Sequence, residues 1–138
     1  GVDEQEAATA DVNIADRRFI IPLIQVDKIY SLTDQLVEGE LNQMILLEGK
    51  QVPYFDLRTD FGITGTLPER REIVLVSYEK EQVALIVDAV VGENQTVLKP
   101  LGKHYKNQDF VSGGTIMGDG SVALVLDVNK IVTVFSKK

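Results

Sequence analysis

IVLVSYEKEQVALIVDAVV, residues 73–91, decides the fold. Ile73 to Tyr78 reads as an alternating arm, Glu79-Lys80-Glu81 as a charged turn, and Val83 to Val91 as the returning arm. Branched apolar arms around a short polar turn predict an antiparallel hairpin. The whole chain shares this bias, with 18 Val and 11 Ile against 7 Ala in 138 residues. Residues branched at Cβ fit a pleated surface better than a helix, so an all-helical bundle is not expected.

Working downstream, Gly92 to Gln95 breaks the pattern, Thr96 to Leu98 resumes it, and Pro100 and Gly102 end it. Residues 103–110, KHYKNQDF, read as a loop. Val111 to Ile116 and Ser121 to Val128 form a second strand–turn–strand unit, with Asp119-Gly120 as its turn. Asn129 to Phe135 reads as a short helix or strand.

Upstream, Met44 to Leu47 and Val52 to Leu57 flank Glu48-Gly49 at hairpin spacing, with Gly49 supplying the positive φ of a tight turn. Thr59 to Arg71 is a connector with a helical turn at 58–61, and Asp34 to Asn42 a connecting loop. Residues 24–38 read as a strand or a short helix, and the alternation of Ile24, Val26, Tyr30 and Leu32 favours the strand. Pro22 marks an edge strand or the end of one, and Val12 and Ile14 lead into a weak hairpin turning at Asp16-Arg17. Residues 1–11 are polar and acidic and read as a disordered leader or a frayed helix.

The sum is nine or ten short strands with turns every 8–12 residues, the pattern of a sandwich or of small barrels. A chain of this length holds one domain, or two small subdomains sharing a core. An internal echo favours the second: VALIVDAV (83–90) resembles VALVLDV (122–128), and VPYFDL (52–57) is a fainter copy.

Fourteen basic against 21 acidic residues leave a net charge of −7 and no basic cluster. Nucleic acid and anionic membrane surfaces both need clustered Lys and Arg, so neither is an expected partner. No apolar run approaches the ~18 residues of a membrane span, and no membrane insertion is expected. The absence of cysteine rules out disulfides and thiolate chemistry, and a single histidine, His104, rules out a multi-histidine metal site.

Three aspartates at strand ends, Asp56, Asp88 and Asp127, are the candidates for carboxylate chemistry in a small β-barrel hydrolase. Aspartate at a strand end also accepts hydrogen bonds from turn N–H groups, a purely structural role. Gly113-Gly114 and Gly118-Asp119-Gly120 lack the Lys-Ser/Thr of a phosphate loop. No cofactor is implied. The residues point to a recognition module.

The strings FIIPLIQVDKIY (19–30), MILLEGKQVPYFDL (44–57), IVLVSYEKEQVALIVDAVVGENQTVLKPLG (73–102) and VSGGTIMGDGSVALVLDV (111–128) resemble a CheW-like domain. The form most similar is the C-terminal regulatory domain of the chemotaxis histidine kinase CheA, and a free-standing CheW-like coupling protein is the alternative. The resemblance runs from about Phe19 to Ile131, so residues 1–16 read as a polar leader or an atypical first strand and 17–138 as the regulatory domain. It implies an all-β fold of two SH3-like five-stranded β-barrels around a shared hydrophobic seam. It also implies a non-catalytic role in the cytoplasm at chemoreceptor arrays, with a CheW-type adaptor protein and the cytoplasmic tips of chemoreceptors as partners.

The contact residues expected for such partners are Val26, Lys28, Ile29, Ile45, Leu47, Glu48 and Leu57. Relatives often place an acidic residue near 26–29 and an arginine before the glycine of the hairpin turn. Here those positions are Lys28 and Glu48, a reversal of both signs. Either two exposed positions have drifted, or the two form a salt bridge with swapped charges.

Overall fold

The computed structural model describes residues 5–33, 43–100 and 109–136. Ten strands and two helices follow in the order β1 (Gln5–Ile14), β2 (Arg17–Pro22), β3 (Val26–Leu32), β4 (Met44–Leu47), β5 (Lys50–Asp56), α1 (Leu57–Asp60), β6 (Arg71–Tyr78), β7 (Glu81–Val87), β8 (Ala89–Pro100), β9 (Val111–Ile116), β10 (Val122–Leu126) and α2 (Val128–Phe135). The start of the expected leader, residues 1–4, and the loops expected at 34–42 and 103–108, with His104, lie outside the described residues.

Two five-stranded sheets share one layout. The first closes into a barrel, β1-β2-β10-β9-β8; the second runs β3-β6-β7-β5-β4. In each, an antiparallel hairpin (β1–β2 or β6–β7) lies beside a parallel strand (β10 or β5) that pairs antiparallel with its predecessor in the chain (β9 or β4). Each parallel strand leads into an aspartate that caps a helix: Asp56 accepts from Arg58 N–H and Asp127 from Lys130 N–H. The sequence echo is thus corrected in its pairing. The topological counterpart of β10 is β5, the fainter copy, and not β7.

The quoted stretch forms the predicted hairpin, with two differences. Glu79 and Lys80 both take positive φ, 52° and 70°. That geometry matches the twist of the arms, although neither residue is the glycine or asparagine that usually adopts it. The return arm ends at Val87, not Val91: the chain breaks at Asp88 and crosses to the other sheet as β8.

The expected break at Gly92–Gln95 lies inside β8, which runs unbroken past β1 with a bulge opposite Asp11 and Val12. Residues 5–11, read as a disordered leader, a frayed helix or an atypical first strand, belong to β1. Burial of one face of that strand explains it, since Ala10, Val12 and Ile14 are fully buried. The open choice at 24–38 resolves, over the described part 24–33, as a 3₁₀ turn at Leu23–Gln25 followed by β3, and that at 129–135 as α2.

The core has three parts. Ala10, Val12, Ile14, Phe19 and Ile21 from the barrel meet Phe55, Val74, Val76, Val83, Leu85 and Val87 from the second sheet, with α2 packed against both. The opposite faces of the same strands fill the two interiors. Ile73, Leu75 and Ala84 lie with Ile45, Leu47 and Val52 in the second sheet, while Ile20 lies with Ala123 and Val125 in the barrel. Strands buried on both faces read as unbroken apolar runs, which is why residues 73–76 and 83–87 carry no polar positions.

Candidate partner-binding face

Within the closed barrel, β8 and β9 complete the ring by pairing Lys99 with Gly114 and Pro100 with Gly113. Gly113 is required there, because a Cβ would run into the Lys99 carbonyl oxygen. The corresponding edges of the second sheet, β3 and β4, are not neighbours in its hydrogen-bonded order. Side chains join them instead. Glu48, in the β4–β5 turn, accepts from Lys28 Nζ at 3.1 Å and from the Tyr30 hydroxyl at 2.6 Å.

Local sequence rules place these groups. Glu48 and Gly49 both take positive φ, so the turn projects the Glu48 side chain toward β3. Lys28 and Tyr30 are two apart on β3 and share a face, with Lys28 Nζ 5.2 Å from the Tyr30 ring centre. Of the two readings of the sign-reversed pair, the salt bridge is the one the structure shows.

The Tyr30 hydrogen bond, followed by the hydrogen bond and charge of Lys28, holds Glu48 below the usual carboxylate range. The bond to Glu48, followed by burial and the Glu48 charge, pushes the Tyr30 phenol up. The lowered Glu48 value makes its contribution complete above the ordinary glutamate value and lost as pH falls through the folded one. The raised Tyr30 value makes its contribution complete below the ordinary tyrosine value and lost as pH rises through the folded one. The latch is closed throughout the neutral range.

Lys28 and Glu48 are both exposed, so their link orients the hairpin and adds little to global stability. In Glu48→Gln the Tyr30 phenol is expected to titrate nearer its ordinary value while the unfolding midpoint stays unchanged. An NMR titration of the Tyr30 ring and a thermal melt read the two.

A second polar cluster extends this rim. Asp27, at a bulge in β3, accepts from Ser77 Oγ at 3.1 Å and Gln82 Nε2 at 2.8 Å, and Gln82 Oε1 accepts from Lys50 Nζ at 3.1 Å. The start of β3, the β4–β5 turn and the β6–β7 turn thereby form one polar-edged face.

The expected contact residues divide. Lys28, Ile29 and Glu48 are exposed and Val26 is half-buried against the seam. Ile45, Leu47 and Leu57 are core residues, against the expectation that they touch a partner. Two exposed apolar side chains were missing from the expected set: Leu46, and Ile24, which is 94% exposed. Alternation along Ile45-Leu46-Leu47 signals that one parity faces out, but not which.

The strand-end aspartates are engaged structurally. Asp88 accepts from Arg58 Nε at 2.9 Å, Arg58 Nη2 at 2.6 Å and Ala15 N–H at 2.7 Å. Asp56 accepts from Arg58 N–H and from Arg71 Nη1 at 3.1 Å. Among the described residues no cluster of His, Asp and Glu is arranged to hold a metal ion.

Comparison with known proteins identifies the fold's lineage. The family model of the CheW-like domain matches residues 11–135. The chain belongs to the CheW-like domain family. This CheW-like domain is 29% identical over 124 residues to chemotaxis protein CheA of Bacillus subtilis, covering 88% of the chain and 18% of that protein. It is 32% identical over 128 residues to chemotaxis protein CheA of Klebsiella aerogenes, covering 87% and 19%. The chain thus spans about a fifth of the length of these relatives. The crystal structure of the scaffolding protein TtCheW from Thermoanaerobacter tengcongensis shares the fold, with TM-score 0.72 and 20% identity over 88% of this chain and 89% of that one. The polar-edged face of this CheW-like domain belongs to its second sheet, the one whose edges are joined by side chains.

Proposed function

We propose that this domain is the regulatory coupling module of a CheA-type chemotaxis kinase, binding a CheW-type adaptor and the cytoplasmic tips of chemoreceptors. The observation that carries the reading is its similarity, along nearly nine-tenths of its length, to a module-sized part of CheA proteins. The domain would act at chemoreceptor arrays on the cytoplasmic side; among the described residues no helix is long and apolar enough to cross a membrane. The engagement of Asp56, Asp88 and Asp127 in caps and ion pairs supports a coupling role over a hydrolase.

The adaptor's site, in this reading, is the exposed edge of the second sheet: Lys28 and Glu48 at the latch, Ile29 on the opposite face of β3, and Ile24 and Leu46 as further apolar contacts. Burying one aliphatic side chain contributes about 1.5–3 kcal/mol, so three reach the roughly 8 kcal/mol of a micromolar complex only at the top of that range, and the polar contacts of the latch must contribute as well. Calorimetry with a purified CheW-type adaptor is expected to give saturable binding that Ile29→Asp weakens by about tenfold or more, with no change in melting temperature. No heat at high micromolar concentration contradicts the reading. A free-standing coupling protein is the second reading, favoured by the 89% coverage of TtCheW. The sequence of the intact gene product separates the two.

A further inference from the structure

The polar residues that make β1 atypical face the interior of the closed barrel. Thr9 and Asp11 lie on the strand face opposite Ala10, Val12 and Ile14, and Asp11 is only 1% exposed. Asp11 Oδ2 accepts from Asn94 Nδ2 at 2.6 Å and Oδ1 from Thr9 Oγ1 at 3.3 Å. Thr9 Oγ1 in turn lies 2.7 Å from Thr96 Oγ1. One hydroxyl carries one proton, and that of Thr9 has three acceptors in reach: Thr96 Oγ1, Asp11 Oδ1 and, at 3.3 Å, the Asn94 carbonyl oxygen. The carboxylate thus has at most two neutral donors for about four acceptor sites. Among the described residues no lysine or arginine pairs with it. Buried carboxylates are ordinarily paired with a cation, because burial of the unpaired charge is costly.

A space for the missing cation is present. Beyond the Lys99–Gly114 and Pro100–Gly113 pairs, β8 and β9 part. Between them lies a cavity of about 360 Å³ lined by Asp11, Asn94, Thr96, Thr115, Val97 and Ile116, among others. Ile116 is 70% exposed and Val97 also reaches solvent. An anionic floor, hydroxyl and amide walls and an aliphatic rim match a cationic head on an alkyl stem.

We propose that this cavity binds an organic monocation, an alkylammonium or guanidinium group, with its head on Asp11 and its stem against Val97 and Ile116. The same chemistry is carried by a free amine and by a lysine or arginine side chain of a partner. The site lies in the other barrel from the latch face and does not rest on the coupling reading.

The test is a ¹H–¹⁵N NMR titration of the chain with n-butylammonium chloride and methylguanidinium chloride, with n-butanol and sodium chloride as controls. Saturable shifts at the amides of Asp11, Asn94, Thr96 and Gly118 are expected, weakened about tenfold or more by Asp11→Asn. Spectral dispersion reports whether that variant is folded. Ile116→Ser, which leaves the carboxylate untouched, is expected to weaken butylammonium more than methylguanidinium, the probe with the shorter stem. No saturation by about 100 mM, an equal response from folded Asp11→Asn, or an equal response to butanol overturns the proposal. Butylammonium that displaces a bound CheW-type adaptor supports the site and assigns the cation to that partner; binding without displacement supports it as a site for a free amine.

Discussion

Phe55→Ala is expected to lower the unfolding free energy by about 4 kcal/mol. Phe55 is 1% exposed and sits where the two sheets meet. Its ring makes edge contacts with Phe110 at 5.2 Å and Phe135 at 4.9 Å and a longer one with Phe61 at 6.3 Å. Those partners come from the segment before β9, from α2 and from the turn after α1, so a single ring contacts pieces of both halves. Truncation removes the transfer energy of the ring and leaves a space that three separate elements must relax to fill. Urea unfolding followed by circular dichroism measures the loss; a change below about 1 kcal/mol contradicts a shared core at this seam.

The second large effect is at Asp88. Its carboxylate receives both prongs of Arg58, and the side chains of the pair are 8% (Arg58) and 11% (Asp88) exposed. Asp88 joins β7 to β8, Arg58 lies on α1 and Ala15 in the β1–β2 turn, so this one group ties the two sheets together. Burial pushes the Asp88 carboxyl up, but the Arg58 hydrogen bonds, the Ala15 N–H and the neighbouring guanidinium charges prevail and hold it below the ordinary aspartate value. A depressed folded-state value means that the stability is complete above the unfolded aspartate value near 4 and is lost as pH falls through the folded one.

Asp88→Ala is expected to cost about 3 kcal/mol at neutral pH, because it strands Arg58 in a buried position. Unfolding curves at neutral pH and in acid test this. The wild-type advantage should shrink in acid, and an undiminished advantage at low pH contradicts the ion pair as its source.

Branched apolar arms bounded by charged or glycine-containing turns were the most legible feature of the sequence. Residues 44–56 and 73–87 fold as read because turn and arms point to the same hairpin. The hairpin of Val12 and Ile14 with β2 forms as read, but residues 5–11 were illegible for a physical reason. Their buried polar side chains hydrogen-bond across two strands about 85 residues apart, Thr9 and Asp11 on β1 with Asn94 and Thr96 on β8, and no local window contains both halves. The unbroken run of β8 through Gly92 has the same origin, since β1 supplies the pairing that overrides the local break.

The candidate site was legible in part. The charge reversal at Lys28 and Glu48 led to the latch, while the facing of Ile45, Leu46 and Leu47 depended on strand parity that only the packed sheet sets. The exposure of Ile24 follows from the 3₁₀ turn after Pro22, which a reading as strand does not contain.

The claim that the latch face is the coupling surface is tested most directly by mapping adaptor-induced NMR shifts onto the domain. Titration with an unlabelled CheW-type adaptor is expected to shift the amides of Ile24, Lys28, Ile29, Leu46 and Glu48 while leaving those of the buried seam, such as Val83, Leu85 and Val87, in place. Saturable binding that leaves those five amides unmoved and shifts others, such as those of Ile116 and Val122 on the closed barrel, contradicts it.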